Sequence, residues 1–286
     1  MKIINTLESL RHERKLWAEC GQAVALVPTM GALHAGHMAL VKAAHKLADR
    51  VVLSIYVNPK QFGKNEDLSR YPRTIEADTA LCTQYGVDAI WLPENDIMYP
   101  ENFATHISAL GAAQGLCGNS RQGHFDGVAL VVVKLCNQVA PDVIIFGEKD
   151  YQQCTVVKQT LRDLNMDIAI HTVATKREAD GLAMSSRNRY LTEAERAIAP
   201  YLYQTLRDLK GQIEEKAATQ ENLKRAQDEL IEEGFSAIEY LELREAQTLT
   251  MLTPETYEGQ AARLLIAGKL GNTRLIDNIP VGASNE

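Results

Sequence analysis

Two histidines three residues apart, His34 and His37, close the segment Pro28-Thr29-Met30-Gly31-Ala32-Leu33-His34-Ala35-Gly36-His37. The apolar run 24–27 precedes it, and Met38, Val41, Ala44 and Ala48 follow at helical spacing. A strand therefore ends in a glycine-bearing turn, and His-x-Gly-His opens the next helix. Helix N-termini carry unpaired N–H groups and the positive end of the peptide dipole, which suits a phosphate. Residues three apart share a helical face, so both imidazoles can reach one anion. Gly36 between them would let a nucleotide approach the main chain closely. In isolation such a pair is more often two unrelated histidines, and a zinc site would want a third ligand that the sequence does not mark. The strand-turn-helix setting favours the nucleotide. Walker A and Gly-x-Gly-x-x-Gly patterns do not occur, which removes support from P-loop and dinucleotide sites.

These histidines need a frame, and the hydrophobic pattern supplies one. Apolar runs at 24–27, 51–57, 87–92, 142–146 and 168–174 read as strands. They alternate with helical patterns after Met38, from Thr74 to about Tyr85, and over 128–139 and 151–164. The fold class is α/β: a Rossmann-like doubly wound parallel sheet with helices on both faces. Ligands in such sheets sit beyond the carboxyl ends of the strands. That places 28–37, 58–62, 147–150 and 175–187 around one site.

After residue 174 the pattern changes. Thr192 opens one long helix carrying Arg196, Leu202, Leu206 and Leu209, a second spans 221–233, and antiparallel strands cover 237–243, 263–267 and 273–277. The expected organisation is a nucleotide- and substrate-binding domain over 1–174. A smaller α+β C-terminal domain over 175–286 covers the site, hinged at about 175–182.

Composition narrows the class of function. The 286 residues are 45% hydrophobic and 23% charged, an ordinary globular balance. A net charge of -7 argues against a broad nucleic-acid-binding face. Cys20, Cys82, Cys117, Cys136 and Cys154 stand apart with no CxxC pair, which reads as reduced thiols. The charged N-terminal stretch is no signal peptide and no apolar run is of membrane-spanning length, so a cytoplasmic protein without membrane contact is expected.

The residues 28–37 resemble the signature of the HxGH nucleotidyltransferase superfamily and, within it, of the pantothenate synthetase (pantoate–β-alanine ligase) family. The likeness continues through Asn58-Pro59-Lys60-Gln61-Phe62, Tyr71-Pro72-Arg73-Thr74, residues 121–125, and Phe146-Gly147-Glu148-Lys149-Asp150-Tyr151-Gln152-Gln153. It closes with Asp180-Gly181-Leu182-Ala183-Met184-Ser185-Ser186-Arg187-Asn188 and Arg274-Leu275-Ile276-Asp277-Asn278. The first motif alone marks only the superfamily, whereas the ordered set, spanning nearly the whole chain, is specific.

The resemblance implies an ATP-dependent ligase that condenses (R)-pantoate with β-alanine through a pantoyl-adenylate, releasing AMP and pyrophosphate. It gives catalytic roles to His34, His37 and Lys149: the histidines on the ATP phosphates, His37 as proton donor to departing pyrophosphate, Lys149 on the α-phosphate. The main chain through Met30, Gly31, Ala32, Leu33, His34, Ala35 and Gly36 would wrap the nucleotide. Gly147, Glu148 and Asp150 would seat adenosine, Lys176 and Met184 would adjoin it, and Ser185, Ser186 and Arg187 would hold the terminal phosphates. Gln61 and Gln153, with Asn58, would bind pantoate, and Gln61 would also lie near β-alanine.

The residue types suit these roles. A glutamine both donates and accepts, a lysine is a compact cation, and an arginine fork engages two phosphate oxygens. Asp78, preceded here by Ala77 where some family members carry a second acid, would meet the Mg2+ that accompanies ATP through water, or the ion would be held chiefly by the ATP phosphates. Lys60 stands where an uncharged residue is frequent. No tightly bound organic cofactor is implied, and a homodimer is. Two other readings share the first motif: a nucleotidyltransferase acting on a phosphorylated small molecule, and a non-enzymatic nucleotide-binding regulator. The first should lack the Gln61 and Gln153 pair; retention of Lys149, His37 and Arg187 argues against the second.

Overall fold

Nearly continuous apolar strands can be buried on both faces, and that is how the main sheet is built. The computed structural model describes residues 1–64 and 66–282. Strands β1 (Lys2–Ile4), β2 (Val24–Thr29), β3 (Arg50–Ile55), β4 (Ala89–Trp91), β5 (Val143–Gly147) and β6 (Ala169–Val173) form one sheet. Its spatial order is β1-β4-β3-β2-β5-β6, and every pairing is parallel.

Helices α1 (Leu7–Glu19), α2 (Ala35–Ala44), α3 (Ile75–Gln84), α4 (Asn95–Met98), α5 (Cys117–Ser120), α6 (His124–Val139) and α7 (Tyr151–Asp163) intervene. Alternate side chains of a strand point to opposite faces. Ala25 and Val27 accordingly pack with Met38 and Val41 of α2 and Cys82 of α3. Val24 and Leu26 pack with Leu10 and Trp17 of α1, with α6 and with α7. From β2 the chain moves outward to β3 and β4, then returns to set β5 on the other side of β2. The loops after β2 and β5 are thus neighbours at the switch point where open α/β sheets bind ligands.

The second unit holds α8 (Glu193–Ile198), α9 (Tyr201–Glu214) and α10 (Gln220–Glu232). Its sheet comprises β7 (Ala237–Glu245), β8 (Met251–Leu252), β9 (Ala262–Leu270) and β10 (Thr273–Val281), antiparallel in the order β10-β9-β7-β8. Leu241, Leu243, Leu264 and Ile266 face α9 and α10. The opposite face turns Tyr240, Leu265 and Ala267 into the core of the first sheet. The small domain is therefore anchored to the large one by shared apolar burial as well as by the chain.

Three local expectations change. The single helix expected from Thr192 is two, because Pro200 stands at the start of α9 and cannot extend α8. Strand β1 and helix α1 escape the periodicity reading: β1 has three residues, and α1 buries only Leu10, Glu13 and Trp17 within a charged segment. Helix α6 begins at His124, inside the glycine-rich stretch. No described helix is long and apolar enough to cross a membrane.

Candidate active site

The loop after β2 is shaped by hydrogen bonds to its own main chain. Thr29 Oγ1 donates to the Ser54 carbonyl at 2.7 Å and accepts the Gly31 N–H at 3.2 Å. Gly31 and Ala32 both take positive φ, +79° and +51°. That conformation strains a residue with a Cβ, so Ala32 needs an external clamp. Asp78, in the first turn of α3, supplies it. Its two oxygens accept the N–H groups of Ala32 at 2.9 Å and Leu33 at 2.8 Å, and Thr74 Oγ1 donates to it at 3.1 Å.

Asp78, expected beside magnesium, here serves the main chain of the loop. At 1% exposure it is sealed beneath the loop, and both its oxygens are engaged. Ala32 and Leu33 are likewise buried on the core side. Of the expected wrapping segment, Met30, His34, Gly36 and His37 line the cleft, whereas Gly31, Ala32, Leu33 and Ala35 do not.

The spacing of His34 and His37 has a local cause beyond a shared face. His34 is the N-cap of α2, and its Nδ1 accepts the Gly36 N–H at 3.1 Å. His37, at the third helical position, returns its Nδ1 to the His34 N–H at 3.2 Å. This is a capping box made from two imidazoles. Gly36 is required by it: a Cβ there would lie 2.8 Å from His34 Cε1. The ring that folds over Gly36 is a local reason for glycine there, and Gly36 also lines the cleft.

A neutral ring that accepts at Nδ1 carries its proton on Nε2. Both rings are held neutral. Burial first, then Lys149 and Arg189, push His34 from 6.5 to about 4. Burial, then His34 and Lys149, push His37 to about 3. Before a nucleotide enters, His37 is a hydrogen-bond donor and not an imidazolium.

The loop after β5 brings Gly147, Lys149 and Asp150 to the same cleft. The Lys149 side chain is largely buried, with Nζ 3.8 Å from the Asp150 carboxylate. Glu148 departs from expectation. Its carboxylate pairs with Arg263 of β9 and accepts from Thr172 Oγ1 at 3.3 Å, so it does not line the cleft.

From the domain connection, Lys176, Met184, Ser185, Ser186 and Arg187 border the opening. Ser186 Oγ donates to the Ala32 carbonyl at 3.1 Å, joining this segment to the histidine loop. Ser185 Oγ caps the turn by accepting the Arg187 N–H at 3.2 Å. Arg187 holds Asp67 through Nε at 3.0 Å and Nη2 at 2.9 Å. Both hydroxyls and one edge of the guanidinium are thus engaged within the protein.

Gln61 stands on the opposite wall. Asn58 Nδ2 donates to Gln61 Oε1 at 3.0 Å, and Gln61 Nε2 lies 3.4 Å from Met30 Sδ. Asn58 also donates to the Gly127 carbonyl at 3.0 Å and accepts from Tyr99 Oη at 2.8 Å and the Lys60 N–H at 3.2 Å. Asn58 lines the cleft with its amide occupied on both sides, and it holds the Gln61 side chain in place. Gln153 lines the cleft, and its amide has no hydrogen-bond partner among the described residues. Its neighbour Gln152 turns inward to bind the Cys117 N–H and the carbonyls of Ala112 and Gly115.

Several residues of the site carried no role in the sequence reading. His124 Nδ1 donates to the Gln61 carbonyl at 2.8 Å while its Nε2 accepts from Arg121 Nη1 at 2.8 Å. Burial, then Arg121, push its pKa to about 3. Arg121 is itself held by Glu66 through two contacts of 2.7 Å. Gly127 lets α6 touch the 58–62 segment, since a Cβ would collide with the Lys60 carbonyl. Val128, Val131, Val132 and Leu135 of α6, with Phe146, form an apolar wall. The periodicity of α6 and the block 121–125 were the available signals.

A parallel sheet with a His-x-Gly-His cap at its switch point, faced by a lysine, defines a nucleotide site of the HxGH nucleotidyltransferase class. The pantoate–β-alanine ligase family model matches residues 2–280, and the chain belongs to that family. The pantothenate synthetase of Paramagnetospirillum magneticum is 48% identical over 98% of this chain and 97% of its own. The solved pantothenate synthetase of Thermus thermophilus superposes with a TM-score of 0.90 at 41% identity, covering 99% of this chain and 100% of that one. The Francisella tularensis pantoate–β-alanine ligase, solved in complex with beta-gamma ATP and β-alanine, gives 0.83 at 32% identity, covering 98% and 97%.

Proposed function

We propose that this chain is an ATP-dependent ligase that joins pantoate to β-alanine through a pantoyl-adenylate. One observation carries the reading. Lys149 and the Nε2–H donors of His34 and His37 share a cleft with Gln61, Gln153 and the apolar wall of α6. Pantoate carries a carboxylate, two hydroxyls and a pair of methyl groups, so it needs both amide partners and an apolar surface. Relatives covered over nearly their whole length are named pantothenate synthetase or pantoate–β-alanine ligase, and one was solved with beta-gamma ATP and β-alanine.

In the first step a pantoate carboxylate oxygen attacks the α-phosphorus, and the bond to the β-phosphate oxygen breaks to release pyrophosphate. Lys149 offsets charge at the α-phosphate, and the two neutral histidines donate hydrogen bonds to phosphate oxygens. Negative phosphate close to His37 opposes the burial that depresses its pKa, which readies it to donate a proton to the leaving group. In the second step the β-alanine amine attacks the acyl carbon, AMP leaves with the carboxyl oxygen, and the amine sheds a proton. No protein nucleophile is needed; positioning and charge stabilisation do the work.

Mg2+ would travel with ATP and keep several waters. Asp150, half-exposed on the cleft wall, would be the carboxylate able to meet it, since Asp78 is engaged elsewhere. The segment 175–182 would act as a hinge over the cleft, with Arg177 tied to Asp277 of β10. A cytoplasmic homodimer is the family expectation that completes the proposal.

Product analysis tests it. With ATP, pantoate and β-alanine the expected products are an amide, AMP and pyrophosphate. With pantoate labelled in its carboxyl oxygens, label should appear in AMP. ADP with labelled inorganic phosphate would establish an acyl-phosphate route instead.

A further inference from the structure

Asn278, the last residue of the C-terminal block, has no part in the mechanism above, yet it touches the loop that carries Lys149. Asn278 lies on β10 with 3% of its surface exposed. Its Nδ2 donates to the carbonyls of Glu148 at 2.9 Å and Lys149 at 3.0 Å, 130 and 129 residues earlier. Those donations fix the amide's orientation, and Oδ1 accepts from Arg263 Nε at 2.8 Å. Arg263 then pairs with the Glu148 carboxylate, so the short turn Glu148–Asp150 is gripped by main chain and side chain together.

The anchor is itself held. The Asn278 N–H donates to Asp277 Oδ1 at 2.7 Å, and Asp277 forms a two-point ion pair with Arg177 at 2.6 and 3.0 Å. Arg177 also donates to the carbonyls of Gly181 at 3.0 Å and Asn278 at 3.3 Å, and it stacks 3.7 Å from the centre of the Tyr203 ring. Asn278 is thus fastened to the domain connection through its main chain and Asp277, and to the lysine turn through its side chain.

We infer that Asn278 is a positioning residue for Lys149, setting the ammonium against the α-phosphorus from the opposite domain. The inference rests on the ligase reading above. Its physical basis is geometric: with both carbonyls released, the turn can relax. A misplacement of ~1 Å at the reacting centre costs on the order of 10²-fold in rate. The amine attack on a preformed adenylate breaks no bond to the β-phosphate and should depend less on Lys149.

The experiment is a double-mutant cycle in single-turnover adenylation, run without β-alanine. Asn278→Ala should slow adenylation by ~10–10²-fold, while the aminolysis of supplied pantoyl-adenylate changes by less than about threefold. In a Lys149→Ala background, Asn278→Ala should add little further loss, because the group it positions is gone. Effects that multiply in the cycle, or equal losses in both half-reactions, would overturn the inference. Asn278→Asp keeps the shape and the acceptor for Arg263 while removing both donors; it decides the matter if the alanine variant melts early. Wild-type protein in the same assay separates the two levels. If it forms no adenylate, the ligase reading fails; if it does and the cycle is multiplicative, only the role of Asn278 fails.

Discussion

His37 turns its Nδ1 back onto the main-chain N–H of His34, 3.2 Å away, while the two ring centres lie 4.1 Å apart. One side chain therefore both caps a helix and presents a donor to the cleft. Its removal should act on two separate scales. His37→Ala should lower adenylation by ~10²–10⁴-fold, the usual worth of a general acid or charge-stabilising donor. Stability should fall only by the ~1 kcal/mol of a lost cap. Single-turnover kinetics and thermal melting measure the two; near-normal adenylation in a folded variant would remove His37 from the mechanism.

Protonation provides a second check. His34, His37 and His124 are held at about 4, 3 and 3, below the ordinary 6.5. Above pH 6.5 both folded and unfolded chains leave these rings neutral, so they add no pH dependence. Below it the unfolded chain takes up protons that the folded chain refuses. Stability therefore falls as pH drops through the window from 6.5 toward 3, with a slope approaching ~1.4 kcal/mol per unit for each such ring. His124→Gln retains a donor for the Gln61 carbonyl and removes one titration. Denaturant unfolding at several pH values should give the variant a flatter acid limb; parallel limbs would mean that His124 protonates in place.

Gln61 and Gln153 should differ in how they fail. Each variant to alanine should weaken pantoate use by ~1–3 kcal/mol, the cost of stranding a buried polar group of the ligand. ATP affinity by calorimetry should change little for Gln153→Ala. Gln61→Ala also frees the Asn58 amide, which loses its acceptor, so it should melt earlier than Gln153→Ala. Loss of ATP binding with normal pantoate affinity in both would place the acid pocket elsewhere.

Asp78→Ala separates an anchor from a metal ligand. Releasing the Ala32 and Leu33 N–H groups should destabilise the fold by ~1–3 kcal/mol and lower adenylation through a loosened histidine loop. The Mg2+ concentration giving half-maximal rate should stay where it was. A large rise in that concentration, with stability unchanged, would restore Asp78 to the metal.

What the chain determined locally was legible from its residues. The strand-helix alternation and the helix start at His34 to His37 depend on spacing within a few positions. Periodicity and capping are set over one or two turns, which is why they survive without tertiary information. Pairings across long stretches of chain were decided only by packing. Asp78 clamps Ala32 from 46 residues away, Arg187 grips Asp67 across 120, and Asn278 reaches Lys149 across 129. A carboxylate or amide has the same composition whether it meets a ligand, a main-chain N–H or solvent. Its role follows from what burial leaves within hydrogen-bonding distance, and that is fixed only when the sheet and the C-terminal domain close on each other.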